Sequence, residues 1–446
     1  LQLRAVAVAL PLILLAAPLQ AQGLRTKLSS LFIFGSGQDP LFLGGSAGPN
    51  SPPGVQVHGN HFVPAVVEDN AAIISFITNS ISGSVANVPI SATSSGSTFR
   101  FEGGVPVRTS VSAGPVFGER AQTLGRGRAL VGVNRTGISF KTLRGVDLSN
   151  IRLTFTHSNV DFPNCDQIFG GDCSRMGVPA FENEVMNFHL DLDIDLAVTS
   201  FYLTYGVSDR LDVGVVVPIV ETSLRGRSLA QIVPFGEEDA DHFFGGDTED
   251  PVLSAERFEE GSATGIGDVA VRVKLNLRDE GTIGLALLGD ARFATGSEED
   301  LLGSGAFAAR GLAIMSARFG AFSPHANVGY LYHDSPLMTD AVLATVGFDH
   351  LMAPWATLAV DLVSELQVGS SVLRVPGPVA IEAPFERTIE RTTLSEGRED
   401  IVNAAVGIKF TTGSGVTIVA NSAWPLNRGG GLRPNVVWTA GLEYNF

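Results

Sequence analysis

The sequence predicts an all-β fold, a transmembrane antiparallel β-barrel of about fourteen strands with an N-terminal, partly helical plug. Three observations predict it: an apolar segment at the start of the chain, repeated alternation of apolar and polar residues, and an aromatic residue ending the last alternating stretch. Of the 446 residues, 44% are hydrophobic and only 17% are charged. No later apolar run is long enough for a spanning helix, so a β-barrel is the membrane fold that remains.

Residues 1–21 have the pattern of a secretory signal peptide. Arg4 provides a cationic start, residues 5–19 are apolar, and Ala21 is a small residue suited to cleavage. The alternative, an N-terminal anchor helix, is disfavoured because the run is short for a span and contains two prolines. We therefore expect export and, with a barrel fold, a location in the bacterial outer membrane.

The clearest alternating stretch is MNFHLDLDIDLAV, residues 186–198. A helix would distribute its residues around the axis, whereas a strand sends alternate residues to opposite faces. One face carries Phe188, Leu190, Leu192, Ile194 and Leu196, and the other carries His189, Asp191, Asp193 and Asp195. The same period of two recurs at 211–219, 265–278, 357–366, 401–410 and 436–446.

Strands are predicted at residues 97–110, 127–142, 151–160, 186–206, 211–225, 265–278, 283–295, 307–319, 322–333, 340–350, 354–368, 399–411, 415–425 and 434–446. Tight and long connections alternate, as in a barrel with short periplasmic turns and longer outer loops. An even count also places both chain ends on the periplasmic side. Twelve or sixteen strands remain alternatives, because glycines and a proline interrupt residues 97–110.

The last stretch ends at Phe446, with Trp438 and Tyr444 on the same face. A soluble edge strand is usually blunted by charge, so this aromatic row favours a barrel strand. We predict that Trp438, Tyr444 and Phe446 form the signal read by the barrel-assembly machinery.

The N-terminal region does not alternate. Isoleucine and valine residues recur there at helical spacing after a plausible cap at Asp69 and Asn70. The predicted plug helix carries Ile74, Ile77, Ile81 and Val85. We predict a plug or hatch over residues 22–96 and a barrel over 97–446, with a disordered periplasmic leader as the alternative for 22–96.

Cys165 and Cys173 lie in a Gly- and Asp-rich segment that is typical of a loop. In an exported protein, a close pair of cysteines is most simply a disulfide, and the spacing does not fit a CxxC redox or zinc motif.

Three runs resemble a known family: GPVFGERAQTLGRGR (114–128), SFYLTYGVSDRLDVGVVVPIV (200–220) and TGIGDVAVRVKLNL (264–277). They look like the outer-membrane family associated with the meta-cleavage pathway of phenol degradation. That family is similar in turn to the long-chain fatty-acid and aromatic-hydrocarbon transport porins, which are plugged barrels of fourteen strands. The resemblance spans about residues 60–446. It implies passage of small hydrophobic or aromatic compounds, and it supplies no catalytic residues.

If the charged face of residues 186–198 points inward, it forms a ladder along the lumen wall. Opposed charges across a narrow aqueous space would orient a polar solute. The alternative is that these charges pair with one another and with the plug. The predicted lumen-lining residues are His189, Asp191, Asp193, Asp195, Asp212, Asp268, Arg272, Lys274 and Arg278.

Residues 235–251 form an acidic segment on the predicted outer side. Its oxygen donors lack the ordered spacing of a calcium loop, so a solvated loop is expected and no metal site is assigned. Phe243 and Phe244 could capture an apolar ligand at the outer mouth or cap the loop's own small core.

An enzyme is not expected, because no G-x-S-x-G or comparable signature is present and no cofactor is implied. The formal net charge of −16 disfavours nucleic acid as a partner. Expected partners are outer-membrane lipid and lipopolysaccharide, the assembly machinery and a small hydrophobic solute, with a monomer favoured. The sequence thus predicts an uptake channel for small hydrophobic compounds, and a general diffusion porin or a structural barrel is the alternative.

Overall fold

The structure is a computed structural model that describes residues 23–32, 34, 80–81, 99–102, 105–108, 112–156, 185–233, 244–246, 250–279, 281–373, 375, 377–381 and 387–446. Helical segments are α1 (Leu24–Ser30), the 3-10 helix η1 (Leu148–Asn150) and residues 80–81. The strands are β1 (Phe99–Glu102), β2 (Val105–Arg108), β3 (Ala129–Leu143), β4 (Val146–Asp147), β5 (Ile151–Thr156), β6 (Val185–Ser208), β7 (Leu211–Val233), β8 (Gly245–Gly246), β9 (Pro251–Val252), β10 (Ser254–Ile266), β11 (Val269–Arg278), β12 (Ile283–Phe293), β13 (Ala308–Ala317), β14 (Phe322–His333), β15 (Ala341–Ala353), β16 (Ala356–Gln367), β17 (Val379–Ile381), β18 (Arg387–Ile389), β19 (Ile401–Thr411), β20 (Val416–Pro425) and β21 (Leu432–Asn445).

Within the described residues, twelve antiparallel strands form a closed barrel. Their order around the ring is β3, β6, β7, β11, β12, β13, β14, β15, β16, β19, β20 and β21. The ring closes because β21 pairs with β3, where Leu442 lies opposite Val133. Strands β4, β5 and β10 attach to this sheet outside the ring, and β1–β2, β8–β9 and β17–β18 are separate two-stranded sheets.

The two ends of the barrel differ in their connections. Short turns join β6 to β7, β11 to β12, β13 to β14, β15 to β16 and β19 to β20, and they all lie at one end, here called the turn end. The backbone of Phe446 pairs with Ala129 at this end, with N to O distances of 2.9 Å in both directions. The longer connections lie at the opposite end, here called the loop end.

The prediction of fourteen barrel strands is wrong, because two of the predicted strands lie outside the ring. The remaining twelve form the barrel. Residues 97–110 form the separate hairpin β1–β2, in which Glu102 lies opposite Val105. The two residues between these strands are glycines, which short hairpin connections favour. The stretch 151–160 contains β5, whose pairing with β6 is confined to residues 185–190 because β3 already occupies that edge of β6 from 195 to 205.

The β6–β7 hairpin extends beyond the rest of the barrel at the loop end, because its strands have 24 and 23 residues. Strands β11 and β10 lie one after the other along β7, opposite residues 211–216 and 219–231 respectively. Together with β5, strand β10 extends one side of the barrel wall at the loop end.

The apolar face of this hairpin changes along its length: it is the outward face near the turn end and the inward face near the loop end. Even-numbered residues of β6 and β7 point inward throughout. Near the turn end the outward residues are apolar, for example Phe201 and Leu203, whereas near the loop end they are charged, for example Asp193 and Arg225. An apolar core therefore lies inside the barrel at the loop end.

This core joins inner-face residues with α1 and the long loops. Leu24, Leu28 and Leu31 of the α1 region are at most 2% exposed and contact the same cluster as Leu192 and Leu224. The Oγ of Ser228 donates a hydrogen bond of 2.5 Å to the carbonyl of Leu31. Among the described helices, none has the length and apolar character needed to cross a bilayer.

Candidate functional site

The candidate site is the barrel interior, which has the apolar core at the loop end along β6 and β7 and a polar half at the turn end. The polar half is occupied by residues 112–124, here called the interior segment. This segment precedes β3 and has no regular secondary structure, so its backbone N–H groups need partners from elsewhere. Inward side chains of the barrel strands supply those partners.

Asp361 on β16 is the main acceptor. Its Oδ2 accepts hydrogen bonds from the backbone N–H groups of Val116, Phe117 and Gly118 at 3.4, 2.9 and 3.3 Å. Its Oδ1 is hydrogen-bonded to Nε2 of His325 on β14 at 2.6 Å. This carboxylate therefore holds one turn of the interior segment against the wall.

Further contacts fasten the segment on other strands. The N–H of Leu124 donates to Asp212 on β7 at 2.9 Å, and the N–H of Ala113 donates to the hydroxyl of Thr357 at 2.9 Å. Asn327 on β14 accepts from the N–H of Glu119 at 2.7 Å. The segment therefore spans the interior between distant parts of the wall.

Two side chains of the interior segment are buried and ion-paired. Glu119 accepts from Arg272 at 2.7 Å and from Lys274 at 3.1 Å, and both cations lie on β11. Arg120 donates from Nε to Asp349 on β15 at 3.0 Å. Burying an unpaired charge is costly, so these ion pairs stabilise the segment in its position inside the barrel.

A second group of charges lies on the wall between β11 and β13. Asp290 on β12 accepts hydrogen bonds from Arg292 at 3.2 Å and from Arg310 at 3.1 Å, and it forms an ion pair with Arg272, whose Nε lies 3.3 Å away. Lumen charges thus pair with one another, which was the alternative considered for the predicted lumen residues.

The placement of four predicted lumen residues is wrong. His189, Asp191, Asp193 and Asp195 lie on the outer face of β6, where the three aspartates are exposed. Alternation separates two faces but does not say which one is inside, and here the inward face packs on α1 and the apolar core. On the outer face, Asp191 lies opposite Arg227 and Asp195 accepts from the hydroxyl of Ser139.

The other predicted lumen residues divide into two groups. Asp212, Asp268, Arg272 and Lys274 are buried and point inward, whereas Arg278 is exposed at the end of β11. Asp268 accepts from the N–H of Gly296 at 3.0 Å and from the N–H of Ser304 at 2.7 Å. Asp268 therefore orders the loop after β12.

That loop folds into the barrel and contacts α1. Leu301 and Leu302 are buried in the apolar core. The backbone of Glu299 accepts from the N–H of Arg25 at 2.9 Å, and the Arg25 guanidinium pairs with Glu298. The loop after β12 thus joins α1 to the wall.

Phe244 is 6% exposed and its ring lies 5.6 Å from that of Phe34, so it does not project from an outer mouth. Phe34 also meets Phe188 edge-on at 6.0 Å, and Phe32 stacks on Phe188 at 4.8 Å. These four rings bring three separate parts of the chain together inside the barrel. Phe243 lies outside the described residues.

Of the predicted plug-helix residues, Ile81 is described and is fully buried in the apolar core. Ile74, Ile77 and Val85 lie outside the described residues, as do Cys165 and Cys173. Trp438, Tyr444 and Phe446 are exposed on the outer face of β21, and the rings of Tyr444 and Phe446 stack at 5.7 Å. Among the described residues, no three His, Cys, Asp or Glu side chains are grouped to hold a metal ion.

Sequence reasoning missed the residues that fasten the interior segment, Glu119, Arg120, His325, Asp349 and Asp361, and it also missed Asp290 in the wall cluster. The available signal was a charged residue on an otherwise apolar strand, as in LALLGDARF around Asp290 and LAVDLVSEL around Asp361. A charge at such a position indicates a partner inside the barrel.

Comparison with known proteins bears on the central part of the chain. Residues 175–347 match the family model described as "Putative MetA-pathway of phenol degradation". This match confirms the resemblance for two of the three quoted runs, 200–220 and 264–277. The run 114–128 lies outside it. A sequence comparison with curated proteins found no match.

Several solved structures are similar to this chain. An outer-membrane channel from Pseudomonas putida F1 is 10% identical and covers 73% of this chain and 98% of its own, with a TM-score of 0.39. The Pseudomonas putida toluene transporter TodX is 9% identical, with coverages of 71% and 89% and a TM-score of 0.31. A Pseudomonas aeruginosa FadL homologue is 11% identical, with coverages of 71% and 90% and a TM-score of 0.31. Similarity at this level does not determine an activity.

Proposed function

We propose that this protein is an outer-membrane channel for the uptake of small hydrophobic compounds, including aromatic ones. One observation carries the proposal: the barrel interior is apolar at the loop end and closed by the interior segment at the turn end. An apolar interior suits solutes with little water of hydration. The matched family model, whose description refers to phenol degradation, favours aromatic members of that class.

The outer surface supports the location. Exposed apolar and aromatic side chains cover the outward face toward the turn end, including Leu203, Val273, Leu285, Trp355 and Tyr444. Such a band with aromatic residues is the surface that a bilayer requires of a barrel. The charged outward face of the β6–β7 extension lies beyond this band, where it would meet water and the lipopolysaccharide headgroups.

A general diffusion porin fits the interior less well. A porin needs a water-filled lumen, whereas the cavity lined by Glu119, Asp212, Arg272 and Lys274 has a volume of about 20 Å³. That volume holds roughly one water molecule. The space beside these four residues is therefore too small for a hydrated ion while the segment is in place.

We propose that residues 22–96 contribute the plug of the loop-end half. The burial of α1 and of Ile81 in the apolar core supports this proposal. The disulfide between Cys165 and Cys173 and the assembly role of Phe446 remain predictions, and no enzymatic activity is expected.

The test compares the whole protein with a variant that lacks residues 24–124, which include the interior segment. Ion conductance is measured in planar bilayers, and accumulation of radiolabelled toluene is measured in cells whose outer membrane contains each protein. We expect the whole protein to be nearly silent to ions and to speed toluene accumulation over vector-only cells, and the shortened variant to conduct ions. Equal ion conductance by both proteins, without toluene accumulation, would identify a general porin and reject the proposal.

A further inference from the structure

The interior contains cationic side chains that the interior segment does not neutralise. Arg433 on β21 is 3% exposed. Its Nη2 donates to neutral oxygens only, at 2.8 Å to Asn403, 3.2 Å to Asn427 and 3.3 Å to the carbonyl of Val402. Among the described residues, Arg433 makes no ion pair within 4.0 Å, and its Nε has no hydrogen-bond partner.

Arg310 approaches from the other side of the barrel. It lies on β13, six strands from β21 in the ring order, so the two arginines stand on opposite walls. Its Nη2 contacts Asp290 at 3.1 Å, but that carboxylate also serves Arg272 and Arg292. Within the described part of the chain, Nε of Arg310 has no hydrogen-bond partner.

Glu365 on β16 lies midway between these walls, three strands from each. It interacts electrostatically with Arg292, Arg310 and Arg433. One carboxylate therefore sits among guanidinium groups that come from opposite sides of the lumen. Guanidinium groups bind carboxylates with paired N–H donors, and the remaining Nε donors of Arg310 and Arg433 are suited to a second carboxylate.

Each arginine adjoins an apolar cluster. Leu432, the neighbour of Arg433, belongs to the apolar core, and Leu331, which lies opposite Arg310 in the β13–β14 register, belongs to a separate cluster with Ala308 and Ala341. A molecule with an apolar body and one carboxylate would contact both regions. Burial of cations in such surroundings is costly unless an anion joins them.

We propose that the interior binds the carboxylate of an amphipathic organic acid at Arg310 and Arg433, with the apolar body of the acid in the loop-end half. This inference rests on the proposed function, because it specifies the substrate class of the same channel. It distinguishes aromatic acids from uncharged hydrocarbons of equal size.

The probes are benzoate and toluene, which have similar rings and differ in charge. Uptake of each by cells is compared for the whole protein, for Arg433→Gln and Arg310→Gln, and for the matched control Arg225→Gln on the exposed outer face. Because a charge-assisted hydrogen bond is lost, we expect the two interior variants to slow benzoate uptake about tenfold and leave toluene uptake unchanged. The control should behave like the whole protein.

A second measurement uses only the unaltered protein, so it stands even if an interior variant does not fold. Benzoate binding to the purified protein should weaken steeply with added chloride, whereas toluene binding should not. The inference is overturned if the protein speeds toluene but not benzoate uptake, or if benzoate binding ignores chloride. If the protein speeds uptake of neither compound over vector-only cells, the proposed function itself fails.

Discussion

The carboxylate of Asp361 accepts a hydrogen bond of 2.9 Å from the backbone N–H of Phe117. The two residues are separated by 244 positions in the chain, and this contact ties an irregular segment to the barrel wall. The same oxygen also accepts from the neighbouring N–H groups of Val116 and Gly118. The contact defines the closed state of the turn-end half and motivates the first prediction.

Replacing Asp361 should loosen the interior segment. Asp361→Ala removes the acceptor of three N–H groups, and unsatisfied buried groups cost about 1–3 kcal/mol each. We expect higher ion conductance in planar bilayers for Asp361→Ala and an intermediate value for Asp361→Asn, which keeps one acceptor oxygen. Asp193→Asn, on the exposed outer face, is the control. Unchanged conductance in a correctly folded Asp361→Ala barrel would show that the segment does not close the interior.

Removing the charge of Glu119 should destabilise the barrel. Glu119→Gln leaves Arg272 and Lys274 without their shared carboxylate, and breaking a buried ion pair costs about 3–5 kcal/mol. The double variant Glu119→Gln with Lys274→Met removes one of the stranded cations and should recover part of the loss. Thermal unfolding in detergent measures both. Equal stability of the single variant and the whole protein would contradict the pairing.

The outer-face aspartates should not influence permeation. Because Asp191 and Asp193 point away from the lumen, their joint replacement by asparagine should leave ion selectivity and toluene uptake unchanged. Reversal potentials in a salt gradient, recorded with these substitutions in the ion-conducting variant that lacks residues 24–124, measure the first property. A shift in reversal potential as large as that caused by Asp212→Asn, an inward residue, would restore the original lumen-ladder hypothesis.

Phe446 should be important for barrel closure. Its backbone pairs with Ala129 across the β21–β3 junction, and its ring stacks on Tyr444. Deleting Phe446 removes both contacts, so we expect less heat-modifiable barrel in the outer membrane. Met352→Ser, another exposed apolar position near the turn end, is the control. A normal amount of folded barrel after the deletion would argue against an assembly role.

Much of the wall was predictable from the sequence. From β11 onward, the predicted strands agree with the observed ones to within a few residues, because a strand with unlike faces shows a period of two wherever it lies. The same period of two led to a predicted number of barrel strands that was too high. β5 alternates like a barrel strand, yet it pairs beside β3 on the edge of β6 and not around the barrel. Alternation identifies a strand but does not specify its partners.

The sequence by itself determined an all-β chain, the positions of the barrel strands and the aromatic last strand. The tertiary structure alone decided which face of β6 is inside, because that depends on α1 and the loop after β12, which are far away in the chain. It also decided the role of residues 112–124. They bind through backbone N–H groups that nearly every residue carries, so no periodic pattern could reveal them.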